Sequence, residues 1–258
     1  MRVASLNILH GRSPDGSAPL VERLVEACAS LEADVLCMQE VDRGQPRSAL
    51  VDQTEAVARG TGAAAWRFEP ALIGEPGGQW VPATDAGVDA PPGVAGYGIG
   101  TVSRVPVTRW HVVRLTAARV RSPVAVPGAG RGAFILLADE PRVVLAAEVA
   151  GPSGPLVVAN THLSFVPGWN AVQLRRLTRP LEALGMPCVL LGDINLPGPV
   201  PGWVSRWRPL AKVRTFPAER PSMQIDHALG HGDVPKVTGV AAVRLPISDH
   251  RALVVDLG

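Results

Sequence analysis

Cys188-Val189-Leu190-Leu191-Gly192-Asp193-Ile194-Asn195 joins a short apolar run to a turn that carries a carboxylate and an amide. A continuous apolar run of this length, bounded by turn residues, is typical of a buried β-strand. The sequence therefore predicts a strand over 187–192, with Asp193 and Asn195 just beyond its end. Catalytic and binding groups often gather at such strand ends, because a rigid sheet holds the loops that carry them.

The same pattern recurs beside five other predicted strands. The segments are Leu6-Asn7, Gln39-Glu40, Asn160-Thr161-His162, Ile225-Asp226-His227 and Ser248-Asp249-His250. Each residue alone has a structural explanation, because Asn and Asp are favoured in turns. The asparagines argue for a common site, since only four occur and three of them, at 7, 160 and 195, lie in these segments.

The remaining pattern predicts strands and helices in one domain, 1–258. Helices are predicted from Ser17 and Pro19 to Leu31, from Leu50 to Arg59 with Gly60 as its stop, and from Gly168 to Leu184 with a kink or break at Pro180. Further strands are predicted over 2–9, 35–38, 97–103, 107–115, 133–138, 142–149, 155–161, 223–229, 236–243 and 251–257. A Gly- and Pro-rich loop is predicted over 70–96, either a wall that brings Trp80 to the site or a surface insertion.

Composition limits the class of protein. The 258 residues are 47% hydrophobic and 19% charged with a formal net charge of +2, which gives no long-range attraction for polyanions. No apolar run approaches the ~18 residues of a membrane-spanning helix, so no transmembrane segment is predicted. Three cysteines without metal-ligand spacing, Cys28, Cys37 and Cys188, predict buried thiols and a cytoplasmic location. A monomer is the default expectation.

The strand-end residues together have a definite chemistry. Hard oxygen ligands without a cysteine cluster suit Mg²⁺ or Mn²⁺ better than zinc. Imidazoles near carboxylates can donate hydrogen bonds to a phosphate and to the charge that develops in a transition state. A further Asp could orient or deprotonate water, so the set suits metal-assisted hydrolysis of a phosphoester.

In order along the chain, these segments resemble the motifs of the endonuclease/exonuclease/phosphatase superfamily, the DNase I-like hydrolases. The resemblance covers positions 6 to 250. It implies a four-layer α/β sandwich, in which two mixed β-sheets pack face to face between outer helices. The stretch Tyr97-Gly98-Ile99-Gly100-Thr101-Val102-Ser103-Arg104 also resembles a glycine-rich strand of that family.

The resemblance also implies a role for each motif residue. Asn7, Glu40 and Asp249 match metal-site residues, with Glu40 as the main ligand of Mg²⁺ or Mn²⁺. The catalytic set comprises His162, which contacts the phosphate, Asp193, which activates or aligns water, Asn195, which holds the phosphate, and the pair Asp226 and His250.

Three functions remain open at this stage. The favoured hypothesis is a Mg²⁺-dependent hydrolase that cleaves a phosphoester or phosphodiester of a small molecule or lipid head group. The alternative is a repair-type DNA endonuclease or exonuclease of the same fold, disfavoured because no basic run with interleaved aromatics occurs. A non-catalytic binding module is the third hypothesis, disfavoured because all the motif residues are present.

Overall fold

Strands form most of the regular structure. The computed structural model describes residues 1–13, 20–84, 94–125 and 134–258. Its strands are β1 Arg2–Asn7, β2 Val35–Arg43, β3 Ala65–Gly74, β4 Trp80–Pro82, β5 Gly96–Ser103, β6 Val107–Leu115, β7 Arg121–Ala125, β8 Phe134–Ala138, β9 Arg142–Gly151, β10 Gly154–His162, β11 Cys188–Asp193, β12 Arg208–Pro209, β13 Asp226–His231, β14 Val237–Val243 and β15 Ala252–Leu257. Its α-helices are α1 Val21–Ala29, α2 Gln53–Thr61, α3 Trp169–Glu182 and α4 Val200–Ser205.

The strands form two large mixed sheets and a hairpin. Sheet A has the order β14-β15-β1-β2-β5-β3-β4, and sheet B has the order β12-β13-β11-β10-β9-β6. β1 runs parallel to β2 in sheet A, and β10 runs parallel to β11 in sheet B. The carboxyl ends of each parallel pair therefore lie at the same edge of their sheet. β7 and β8 pair with each other outside the two sheets.

The alternation of strand side chains builds four layers. Val35 and Cys37 of β2 face the core between the sheets, where they pack with Val158 and Val189 of sheet B. The alternate residues of sheet A pack against α1 and α2, and those of sheet B pack against α3 and α4. The predicted four-layer α/β sandwich, with two mixed sheets face to face, is confirmed.

A polar contact joins the two sheets inside this core. Gln39 Nε2 donates to Asn160 Oδ1 at 2.7 Å, and both side chains are fully buried. Asn160 Nδ2 donates in turn to the carbonyls of Met38 and Gly100 at 3.0 and 2.9 Å. Because an unpaired buried amide would be costly, this network fixes how β2 and β10 face each other.

Two of the helix predictions need correction, and part of a third lies outside the described residues. α2 begins at Gln53, because Asp52 caps it by accepting from the Glu55 amide, and it ends at Gly62 in the left-handed region. Gly60 is no stop: it lies where the helices approach, since a Cβ there would come within 2.1 Å of Val25. α3 continues through Pro180 to Glu182, so the helix does not break at the proline. The predicted start at Ser17 and Pro19 lies outside the described residues.

The prediction of a loop over 70–96 is also wrong in part. β3 extends to Gly74 and β4 follows over Trp80–Pro82, while 85–93 lie outside the described residues. Pro70 is compatible with β3 because the register to β5 shifts between Pro70 and Leu72. The strand predicted over 223–229 begins only at Asp226, and the predicted 133–138 strand, described from Phe134, pairs with the unpredicted β7.

Candidate active site

A cleft of about 990 Å³ opens at the edge where the parallel strand pairs of both sheets end. Seven of the eight residues predicted from the sequence line it. These are Asn7, Glu40, His162, Asp193, Asn195, Asp249 and His250. The eighth, Asp226, is fully buried behind His250.

Glu40 reaches the cleft through a β-bulge. The register between β2 and β5 shifts between Gln39 and Val41, so Glu40 is the extra residue, and its φ is +55°. A bulge re-aims a side chain and commonly occurs beside active sites. Asn7 Nδ2 donates to Glu40 Oε1 at 3.0 Å and to Asp193 Oδ2 at 3.2 Å, while Asn7 Oδ1 accepts from the Leu9 amide. The Asn7 amide therefore holds one carboxylate from each sheet.

Asp193 and His162 lie side by side because β10 and β11 are parallel and in register. His162 is paired with Asp193, and Nε2 of the histidine lies 3.6 Å from Oδ2 of the aspartate. Asp193 Oδ1 accepts from the Asn195 amide at 3.1 Å, which holds Asn195 in the left-handed region at φ +54°. The Asn195 side chain donates to the Leu163 carbonyl at 3.0 Å and approaches His162 Nε2 at 3.4 Å.

His250 is oriented by a chain of buried partners. Its Nδ1 lies 2.9 Å from Asp226 Oδ2, which also accepts from Thr215 Oγ1 at 2.5 Å. The Ser248 hydroxyl accepts from the His250 amide and donates to the Asn7 carbonyl. With Nδ1 thus engaged, Nε2 faces the cleft, 3.8 Å from Asp193 Oδ2 and 4.0 Å from Asp249 Oδ1.

The charges at the cleft floor shift one another's pKa values. Burial lowers the pKa of His250, but the carboxylates of Asp226, Asp193 and Asp249 outweigh it and raise that pKa. Burial raises the pKa values of Glu40 and Asp193, while it lowers that of His162. The floor is thus a buried acidic site in which a cation would be stabilised.

The donor set fits a hard divalent cation. Glu40 Oε2 makes no hydrogen bond to any described residue, and the Asp249 side chain is 46% exposed to the cleft. Asp193, Asp226 and His250 also bring ligand atoms within 4.8 Å of one another. There, however, Asp226 Oδ2 already accepts two hydrogen bonds, and Asp226 Oδ1, which has no hydrogen-bond partner among the described residues, is buried behind His250 and does not line the cleft. That trio is therefore better described as an oriented histidine. Glu40 and Asp249 are therefore the side chains available for Mg²⁺.

Other polar residues in or beside the motifs contact the rest of the fold and do not line the cleft. Asn160 joins the sheets, and Asp42 holds Arg47 in a two-pronged ion pair at 2.8 and 2.9 Å. His227 Nε2 contacts the Leu196 carbonyl at 2.8 Å beneath the cleft. A residue that is next to a site residue in the sequence therefore does not necessarily line the cleft.

Three charged cleft residues were missed by sequence reasoning, Arg121, Glu140 and Arg142. β9 runs antiparallel to β10, with Val144 opposite Thr161, so Arg142 at the start of β9 lies beside His162. Arg142 is only 6% exposed, and its Nε has no hydrogen-bond partner among the described residues. Only the strand register could have identified it, because one arginine among many carries no local signal.

Apolar side chains form much of the cleft wall. They are Trp80, Leu137, Phe165, Pro197, Phe216 and Met223. The Phe216 ring packs on the His250 imidazole with 4.8 Å between centroids. The predicted contribution of Trp80 to the wall agrees with its position in the cleft, although it comes from a strand.

None of the helices within 1–13, 20–84, 94–125 and 134–258 is long and apolar enough to cross a membrane.

Comparisons with known proteins identify the family. The model of the Endonuclease/Exonuclease/phosphatase family matches residues 4–250. No curated protein matches the chain significantly.

Several solved structures share the fold. An endonuclease/exonuclease/phosphatase from Beutenbergia cavernae has a TM-score of 0.68 at 21% identity, with 100% of this chain and 72% of that chain covered. The human Nocturnin catalytic domain with bound sulfate has a TM-score of 0.63 at 17% identity, with 100% and 94% covered. A Bacteroides thetaiotaomicron mannosyl-6-phosphatase has a TM-score of 0.60 at 14% identity, with 100% and 99% covered. These structures share the fold, and the family match covers nearly the whole chain. The chain therefore belongs to the endonuclease/exonuclease/phosphatase family of phosphoester hydrolases.

Proposed function

We propose that this hydrolase depends on Mg²⁺ and cleaves a phosphoester or phosphodiester of a small molecule or lipid head group. The observation that carries the proposal is the cleft itself, which combines an acidic floor with an apolar wall. Its described lining includes two arginines, Arg121 and Arg142, against four carboxylates, Glu40, Glu140, Asp193 and Asp249. Such a floor favours a cation and one phosphate group rather than a run of phosphates.

The proposed roles follow from the contacts. Glu40 and Asp249 hold the ion, and Asn7 keeps the Glu40 carboxylate in place. When bound, Mg²⁺ supplies positive charge that stabilises the phosphoryl oxygens. Mn²⁺ would suit the same oxygen ligands.

The remaining residues act on water and phosphate. Asp193 Oδ2 accepts a proton from the attacking water, whose oxygen bonds to phosphorus as the ester P–O bond breaks. The leaving oxygen takes a proton from solvent and departs as the alcohol. Asn195 and His162 contact the phosphate beside it. His250 Nε2 donates to a phosphoryl oxygen, and Asp226 fixes the ring by accepting from Nδ1, as preorganised donors do in other hydrolases.

The alternative, a repair-type DNA nuclease, requires contacts with many phosphates. Those contacts come from clustered Lys and Arg and make binding strongly salt-dependent. The cleft has more carboxylates than arginines among its described residues, so it does not supply such contacts. We therefore favour a small substrate over duplex DNA.

The test compares substrates with and without Mg²⁺. Bis(4-nitrophenyl) phosphate, 4-nitrophenyl phosphate, supercoiled plasmid and an abasic-site duplex are each incubated with Mg²⁺ or EDTA. We expect hydrolysis of a small phosphoester that requires Mg²⁺, is abolished in His250→Ala and persists in His111→Ala, whose imidazole pairs with Glu148 outside the cleft. Efficient duplex cleavage that falls steeply with salt would instead establish the nuclease. Absence of any hydrolysis would refute both.

We also propose that the enzyme works in the cytoplasm as a monomer. All three cysteines are free and buried, as expected where thiols stay reduced.

A further inference from the structure

A groove outside the cleft, between α3 and α4, is lined by several exposed arginines. Its volume is about 590 Å³, and its arginines are Arg175, Arg176, Arg179 and Arg206. Among the described residues, Glu182 is the only carboxylate that lines this groove, and it already accepts from Trp207 Nε1 at 2.8 Å. The groove therefore carries a local positive charge that the formal net charge of +2 for the whole chain does not reveal.

A second groove, of about 710 Å³, continues this basic surface. Arg176 lines both grooves, and Arg119 and Val120 line the second one. No carboxylate of the described ranges lines the second groove. Asp139 accepts from a backbone amide of the same segment, but it is buried and lies 3.5 Å from Arg142. The positive charge of the first groove is therefore not offset in the second.

The arginines of the two grooves are not neutralised within the described part of the chain. Arg119, Arg175, Arg179 and Arg206 make no ion pair with a described residue. The Arg176 guanidinium lies 5.1 Å from the centroid of the Trp169 ring and contacts no carboxylate of a described residue. Five guanidinium groups against one carboxylate make a surface that attracts anions.

Large apolar side chains are exposed among these arginines. Val120 is 60% exposed and Val172 37% exposed, and each lines one of the grooves. Trp203 of α4 is 73% exposed. Because the buried sides of α3 and α4 pack against sheet B, the exposed sides of both helices face away from it. Trp203 thus belongs to the same outer surface as the two grooves, and we call this surface the arginine face.

The mixture of charge and apolar side chains distinguishes between anionic partners. A nucleic acid would use the arginines, and a base could stack on Trp203, but a valine has no aromatic face for stacking. A bilayer with anionic lipids uses every part of the surface. Guanidinium groups contact the phosphates of its head groups, while tryptophan and valine lie at the boundary with the acyl chains. The arginine face therefore fits a lipid surface better than a nucleic acid.

We propose that the arginine face docks this protein on membranes that contain anionic phospholipids. The face adjoins the cleft, because Phe165 lines the cleft and Val166 lines the second groove. In the first turn of α3, Asn170 Nδ2 also donates to the Asn195 carbonyl at 2.7 Å. A docked bilayer therefore lies beside the cleft. Docking needs neither Mg²⁺ nor hydrolysis, so it stands or falls separately from the proposed reaction.

Vesicle co-sedimentation of the full chain in EDTA tests the proposal. Vesicles of phosphatidylcholine alone are compared with vesicles that contain about one third phosphatidylserine, at about 0.1 M and about 1 M NaCl. A triple variant replaces three arginines of the face, Arg175→Gln, Arg179→Gln and Arg206→Gln. Its control replaces three exposed arginines on the elements of sheet A and its helices, Arg59→Gln, Arg104→Gln and Arg244→Gln, so the net charge of the two triple variants is the same.

The apolar part of the face has its own pair of variants. Trp203→Ser removes the exposed ring from α4, and Trp66→Ser removes a 44% exposed ring from β3 in sheet A. All these positions are exposed, so circular dichroism and the melting temperature should match those of the parent. A single-stranded oligonucleotide, followed by fluorescence anisotropy, measures binding to the competing class of anion.

We expect the parent and the control variants to bind phosphatidylserine vesicles at low salt, with little binding at high salt or to phosphatidylcholine alone. Three arginines at about fivefold each predict a loss of about 100-fold in the partition coefficient of the triple variant. Trp203→Ser should lose about tenfold. Equal binding to both kinds of vesicle, or equal binding by the two triple variants, would overturn the proposal. Tighter binding of the oligonucleotide through the same arginines would also overturn it, in favour of a nucleic-acid surface.

Discussion

Several residues at or beside the cleft floor adopt backbone conformations that are energetically unfavourable for most residues. Glu40, Asn195 and Ser248 all have positive φ, which L-residues rarely adopt. Each is held by specific partners: a bulge for Glu40, the Asp193 carboxylate for Asn195, and the Asn7 carbonyl for Ser248. Strained residues of this kind cluster at functional sites.

The proposed metal site gives the first prediction at this scale. Glu40→Gln replaces an anionic ligand with a neutral amide of the same size, so Mg²⁺ affinity should fall at least about tenfold. Calorimetric titration with Mg²⁺ measures the affinity, and the melting temperature in EDTA should change little. The matched control is Glu22→Gln on the exposed side of α1. Unchanged affinity in Glu40→Gln would exclude Glu40 as a ligand.

The pair Asp226 and His250 gives the second prediction. Because Asp226 acts through His250, by orienting its ring and raising its pKa, Asp226→Asn and His250→Ala should each lower kcat by about 10²–10³. The double variant should be little slower than His250→Ala alone, since the two residues act as a unit. Hydrolysis rates of all four proteins complete the cycle. Strictly multiplicative losses would show that the residues act independently.

His227 gives a prediction about pH. Burial lowers its pKa in the folded protein below the ordinary value of 6.5, so unfolded chains bind the proton more readily. Its contribution to the free energy of unfolding is complete above pH 6.5 and decreases as the pH falls towards the folded-state pKa. Urea unfolding at several pH values should therefore show the parent losing stability more steeply below pH 6.5 than His227→Gln. Parallel curves for the two proteins would contradict this origin.

At the scale of elements, the close contact between β10 and β11 depends on one glycine. A Cβ at Gly192 would lie 1.9 Å from the Thr161 carbonyl oxygen, and its φ is +151°. We expect Gly192→Ala to lower the free energy of unfolding by about 3 kcal/mol or more, since overpacking and strain add.

Gly62→Ala is the matched control for that variant. Gly62 has φ +65° with open space around it, so only the backbone cost of about 1–2 kcal/mol is expected. Thermal and urea unfolding of the two variants measure the difference. Equal losses would mean that the strands can move apart at Gly192.

Predictions from the sequence succeeded where a local pattern of residues determines where a side chain lies. They failed where the pairing register between two strands determines it. The apolar run before Asp193 identified β11, and polar residues at strand ends identified most of the cleft floor. β3 was missed because Pro70 and Gly74 interrupt its pattern, although a register shift accommodates the proline. Arg142 and Glu140 were missed because only the antiparallel pairing of β9 with β10 brings them to the cleft. The bulge that re-aims Glu40 likewise depends on its partner strand.

At the scale of the whole molecule, each of the three cysteines lies in a different apolar layer of the fold. Cys28 belongs to the cluster between sheet A and its helices, Cys37 to the core between the sheets, and Cys188 to the cluster between sheet B and its helices. Burial raises the pKa of Cys28 to about 12 and raises those of Cys37 and Cys188 as well. Native thiols should therefore be unreactive.

This gives a prediction about cooperativity. With Ellman's reagent at pH 8, we expect no reaction of the native protein and full reaction of all three thiols in guanidinium chloride. Across a denaturant series, the three should become reactive together, on the curve followed by circular dichroism. A thiol that reacts earlier than the others would identify a layer that opens independently.

The position of β15 has a consequence for the order in which the protein is made. β15 lies between β14 and β1, with Asp256 opposite Arg2, and it follows directly after Asp249 and His250. Until Asp249, His250 and β15 have emerged from the ribosome, β1 lacks this neighbour and the cleft lacks two of its floor residues. The nascent chain therefore cannot assemble its catalytic centre before β15 has emerged.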